Sequence, residues 1–208
     1  MATRRTKQRP RTDPEANPPS AYSPPATAVV TRRRAGERAR PFDFQRALVG
    51  AFQTNERINQ TLIGLVDAPI WHKVPPCSAR RSIAAQFAHI HNVRCMRIKQ
   101  CGDGVAPPAR LNRATMTIEE TRRALGESAA AMVQVIERSL ARDGRVHGSP
   151  LDVVAMVCAA ITHEAHHRGQ ICHWARVLHA PIGPECQILL WDWHTLGQNG
   201  ASASGRAR

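Results

Sequence analysis

Two short stretches hold half of the ten histidines in this 208-residue chain. One reads His163-Glu164-Ala165-His166-His167-Arg168-Gly169-Gln170, the other Ala88-His89-Ile90-His91. On a helix, positions i and i+4 lie a turn apart on one face, so His163 and His167 can direct two imidazoles at one cation. Val153, Val157 and Ile161 approach His163 along an apolar side and Ile171 continues it beyond His167, which turns this pair toward the core. Two uncompensated imidazoles in a core are costly, and a divalent metal satisfies both. His166 is three residues from His163 and competes for a place. A third ligand must come from another helix. His89, flanked by Phe87 and Ile90, is the candidate. Its rival His91 lies about 200° further round the helix, so both cannot face one site.

Three neutral imidazoles leave a coordination position in which a bound water drops toward a pKa of ~7, or a thiol binds as thiolate. Such a donor set suits zinc, nickel, copper and iron alike. Glu164 is the nearest carboxylate in sequence: it either orients a ligand or accepts a proton, which makes it the candidate catalytic residue, or forms a salt bridge. Arg168 reads as a contact for an anionic substrate group or as a surface charge, Gly169 as a point of close helix packing, and Gln170 as a hydrogen-bonding partner behind a ligand. The string His163-Glu164-x-x-His167 also matches the HExxH signature of zinc proteases. A peptidase, however, needs a sheet edge for extended substrate, and only Cys186 to Trp193 carries a hint of strand.

These side chains require helices to position them. Leu48, Phe52, Ile58, Leu62 and Val66 recur at helical steps and predict a first helix over Asp43 to Val66. A second runs from near Ala79 to Cys101, with Ile83, Phe87, Ile90, Met96 and Ile98 on it. The third opens at Thr117, with Glu120 completing a capping-box spacing, and continues to Gly144. Ser149-Pro150 reads as the cap and first position of a fourth helix ending before Pro181. Four amphipathic helices with no alternating strand pattern predict an all-α, antiparallel four-helix bundle over 42–196. Cys186 to Trp193 reads as a short strand or a closing turn over one end.

The net charge of +13 is uneven, for residues 1–41 hold ten Lys/Arg against three acidic residues. With Pro18, Pro19, Pro24, Pro25 and the run Arg32-Arg33-Arg34, this segment reads as a disordered basic tail, and 197–208 as a flexible C-terminal one. Aromatic residues make up 4% of the chain, too few for base stacking, so the expectation is nonspecific polyanion contact through the tail and no specific nucleic-acid readout. No apolar run approaches the roughly 20 residues of a membrane span, and no apolar segment follows the basic amino terminus. The six cysteines are dispersed without CxxC spacing and read as reduced thiols of a cytoplasmic protein, most of them buried.

Taken together, Arg81-Ser82-Ile83 with Phe87-Ala88-His89-Ile90, the run His163 to Ile171, and Leu190-Trp191-Asp192-Trp193 resemble the DinB/YfiT-like family of metal-binding four-helix bundles over residues 43 to 195. The most specific part is the HxxxHRGQ run. The resemblance implies a divalent metal, zinc or nickel foremost, held by His89, His163 and His167 with water completing the shell. It also implies a bacterial setting, bundles that pair as a homodimer, and a small-molecule substrate. Some members of that family resemble thiol transferases or a thiol-dependent isomerase, so a low-molecular-weight thiol as co-substrate and a metal-dependent transferase or hydrolase follow as expectations. The alternative is a non-catalytic, metal-stabilised binding or stress-response module.

Overall fold

The computed structural model of the protein describes residues 41–184, apart from 77, 79, 80, 102 and 103, together with 190, 193 and 196. Residues 1–40 of the expected basic tail, the expected C-terminal tail, Cys77 and most of the segment Cys186 to Trp193 lie outside the described residues. Four long helices form: α1 (Phe44–Leu65), α2 (Ile83–Cys101), α3 (Ile118–Leu140) and α4 (Val153–Val177), with a short 3₁₀ turn at Ala68–Ile70. Among the described residues the only β pairing is an isolated bridge between Arg145 and Asp152. The all-α class is therefore as expected.

Local chemistry sets the helix starts. The Asp43 carboxylate accepts from the Arg46 N–H at 2.9 Å and opens α1. Thr117 and Glu120 form the full reciprocal capping box on α3, at 3.1 and 2.9 Å. Helix α3 ends at Leu140, four residues short of Gly144, and two helix starts differ from the sequence reading. Helix α2 begins at Ile83, where the Ser82 hydroxyl accepts from the Ala85 N–H. Helix α4 is capped by Asp152, not Ser149: its carboxylate accepts from the Ala155 N–H at 2.7 Å. The chain between α3 and α4 first folds back on itself, with Gly144 and Gly148 at positive φ and the Val153 N–H donating to the Gly144 carbonyl. Ser149 instead closes a small turn by accepting from the Leu151 N–H. Met96, which the spacing counts with the apolar residues of the second helix, is 47% exposed.

Helix α1 packs on α3 and α4, and α2 packs on the same two helices. Paired residues give the directions. Gln60 of α1 meets Arg122 of α3, while Phe52 lies with Ala129 and Val133 across a groove, so α1 and α3 are antiparallel. His89 faces His163 and Arg97 reaches Met156, so α2 and α4 are antiparallel too. The other neighbouring pairs run parallel: α1 and α4 share Leu48 with Val153 in one apolar cluster and Leu62 with Trp174 in the other. The segment joining α2 to α3 therefore returns along the length of the bundle. The Asn92 amide clamps it, donating to the Leu111 carbonyl and accepting from the Leu111 N–H.

The core is divided. One apolar cluster gathers Leu62, Ile63, Ile83, Phe87, Ile90, Leu125, Ile171 and Trp174, the other Phe52, Ile98, Met132, Ile136, Met156 and Val157. A second buried set, Asn55, Asn59, Arg94, Glu164 and Arg168, is polar and ties α1, α2 and α4 together.

Candidate metal centre

The antiparallel crossing of α2 on α4 brings His89 against His163 and His167. Their ring centroids lie 4.5 to 5.3 Å apart, and one ligand nitrogen from each falls within 4.8 Å of the others. The two α4 rings approach Nε2 to Nε2 at 3.0 Å. Nitrogens bound to one tetrahedral ion at 2.0–2.1 Å stand about 3.3 Å apart, so the α4 pair needs to move only a few tenths of an ångström, whereas nitrogens at the 4.8 Å limit close by about 1.5 Å on an ion. His167 is buried and the other two are half-buried.

The protonation pattern matches a ligand set. His167 Nδ1 lies 3.0 Å from Gln170 Oε1, which accepts a second bond from the Gln86 amide N–H at 2.8 Å. Gln170 thereby holds the proton on Nδ1 and leaves the Nε2 lone pair facing the other histidines. Gln86 Oε1 is itself buried with no hydrogen-bond partner among the described residues. Burial, ahead of repulsion by His163, His89 and His166, lowers His167 to about 4, against the opposing Gln170 bond. Burial also lowers His163, helped by Arg97 and His166 against an opposing pull from Glu164. His89 is lowered by burial and then by His163, Arg113 and Arg81. All three imidazoles are neutral near pH 7, the form that binds metal.

The remaining candidates go elsewhere. His91 is fully buried and turns away, with Nδ1 2.9 Å from the Ala124 carbonyl and Nε2 2.8 Å from the Ala109 carbonyl. His166 is exposed, beside His167 but outside the group of three. Glu164 is 1% exposed and takes the salt-bridge alternative. Its Oε1 accepts from Arg94 Nε at 2.7 Å, and its Oε2 from Arg94 Nη2 and from the Asn55 and Asn59 amides at 2.7, 2.5 and 2.7 Å. Burial opposes the charge, but Arg94, Asn59 and Asn55 outweigh it and hold Glu164 below the usual carboxylate range. An ionised carboxylate engaged by three side chains is poorly suited to take a proton at the histidines. Arg168 is neither a surface charge nor open on all sides: it is 9% exposed, and its Nη1 donates to Asn55 Oδ1 and Asn59 Oδ1, each at 2.8 Å.

Sequence reasoning left out Asn55, Asn59 and Arg94. The signal was present for two of them, since Asn55 and Asn59 sit at i, i+4 spacing inside the apolar run Phe52-Ile58-Leu62. It also left out the arginines Arg97 and Arg113, which lie close enough to the centre to depress its histidines. The family profile described as the DinB superfamily matches residues 51–171, a span that includes all three histidines. No curated protein and no solved structure matches the chain.

Proposed function

The chain belongs to the DinB superfamily, and from that premise we propose that it is a divalent-metal-dependent enzyme of thiol-S-transferase or hydrolase type, with His89, His163 and His167 holding the ion. The observation that carries this reading is the convergence of three neutral ring nitrogens from two helices within 4.8 Å. Among the ions that three imidazoles suit, the resemblance to the DinB/YfiT-like family favours zinc or nickel. Once bound, the cation would supply Lewis acidity to a thiol or a water in the position that three protein ligands leave open.

The chain's own residues do the rest. Gln170 fixes the His167 tautomer, and Gln86 fixes Gln170. Arg81, Arg97 and Arg113 surround the histidines with positive charge, which favours an anionic partner, either a thiolate or an electrophile bearing a carboxylate. Glu164 acts by positioning: through Arg94 and the two asparagines it fixes how α4 is rotated toward α2. In a transfer, the thiol sulfur forms a bond to the electrophilic carbon, the leaving group departs with its bonding pair, and the thiol proton passes to solvent. The basic residues 1–41 add nonspecific polyanion contact that weakens with salt.

The test is thiol consumption by zinc- or nickel-loaded protein with glutathione and 1-chloro-2,4-dinitrobenzene as the chromogenic electrophile, alongside His163→Ala. Turnover lost in the variant supports the enzyme. Because the ligands come from two helices, an ion would also cross-link α2 and α4. Full metal occupancy with no turnover of any thiol or ester tested would therefore favour the non-catalytic, metal-stabilised module.

A further inference from the structure

The face of α4 opposite the histidines carries a second feature. His163 and Cys172 are nine residues apart, about 180° round a helix of 3.6 residues per turn. On that far side lies a cavity of about 430 Å³, lined by Ile161, Ala165, Arg168, Gly169 and Cys172 of α4 and covered by Leu190 and Trp193. Its size falls within the roughly 300–1,000 Å³ of small-molecule sites. Its described walls are apolar or small except for one cation, Arg168.

That cation is held but not neutralised by direct contact. Its two Nη1 hydrogens go to neutral amide oxygens, Asn55 Oδ1 and Asn59 Oδ1. The same amides donate to Glu164, whose oxygens are already engaged by Arg94. Arg168 makes no carboxylate salt bridge among the described residues, and its Nε and Nη2 donors are without a partner there. A guanidinium with one edge anchored and the other unpaired is set to receive a carboxylate as a fork. The space beside Gly169 is open, since a Cβ built there would meet nothing within 4 Å.

We propose that this cavity is a second ligand site, separate from the histidine centre, that takes an apolar molecule bearing one carboxylate, with the carboxylate on Arg168 and the body against Ile161, Leu190 and Trp193. Loss of a charge-assisted bond should weaken binding roughly 10- to 100-fold. The test is calorimetric titration of the full chain with decanoate and with the uncharged 1-decanol. Wild type and His163→Ala should both bind one decanoate per chain, and decanol should bind at least about 10-fold more weakly. Arg168→Met should lose roughly 10- to 100-fold in decanoate affinity. Because that variant leaves two buried amide oxygens unpartnered and can fail to fold, Gly169→Leu is the second arm. It improves helix propensity, fills the cavity, and should lose binding to the same degree while staying folded. No decanoate binding by wild type, binding undiminished in Gly169→Leu, binding lost in His163→Ala, or decanol binding as tightly as decanoate would each overturn the proposal.

Discussion

Removing the Glu164 carboxylate should unfold a large part of the stability margin without touching a histidine. In Glu164→Ala four buried donors lose their acceptor: Arg94 Nε, Arg94 Nη2, Asn55 Nδ2 and Asn59 Nδ2. Arg94 is 1% exposed and keeps only Glu56, at 2.6 Å, as a charged partner, plus the Leu125 carbonyl. Breaking one side of a buried ion pair costs about 3–5 kcal/mol, out of a typical total of roughly 5–15 kcal/mol. At about 2–4 °C per kcal/mol for a domain of this size, the melting temperature should fall by roughly 6–20 °C. Replacing both partners, as in Glu164→Leu with Arg94→Met, should cost clearly less than the sum of the single losses, because neither charge of that pair is then left behind without the other. Urea unfolding of metal-free protein followed by circular dichroism measures all of these. A Glu164→Ala protein within about 1 kcal/mol of wild type would refute the account of Glu164 as a structural anion.

Acid should destabilise the metal-free protein well above the usual carboxylate range. His167 is lowered to about 4 by burial, whereas an unfolded histidine titrates near 6.5. Between those values the unfolded chain binds more protons, so stability is intact above about pH 6.5 and is lost as the pH falls toward 4, with His89 and His163 acting in the same direction. A urea midpoint unchanged between about pH 7.5 and pH 5 would contradict a neutral histidine cluster. Gly148→Ala should destabilise by about 2 kcal/mol or more: φ is +69° and an added Cβ would stand 2.3 Å from the Gln100 carbonyl oxygen, which belongs to backbone and cannot swing aside. An unaltered melting temperature would show that the loop before α4 does not press on the end of α2.

The histidine pair and its helix were legible because i, i+4 spacing is a local rule, and His89 and His91 could be separated because two residues on a helix face different ways. The capping box at Thr117 and Glu120 was legible for the same reason. What was not legible depends on contacts distant in sequence. Ser149-Pro150 carries a valid start signal, yet the fold-back that pins Val153 to Gly144 moves the start to Asp152. The parallel run of α2 beside α3 follows from the long return between them, which no helix pattern encodes. Glu164 reads alone as an acid near two histidines. Only its partners on α1 and α2, 109 and 70 residues away, show that it serves the interior. The surface-charge reading of Arg168 failed for the same reason, since Asn55 and Asn59 hold that guanidinium in the interior.

Elemental analysis of the protein, purified without a metal-affinity tag, tests the central claim most directly. After incubation with zinc or nickel and removal of excess ion, wild type should retain about one divalent ion per chain, matching one set of three nitrogen ligands, and His166→Ala should retain the same amount. His89→Ala, His163→Ala and His167→Ala should each lose it. A wild type that remains metal-free under both conditions, or a His89→Ala that keeps its ion, would contradict a centre built across α2 and α4.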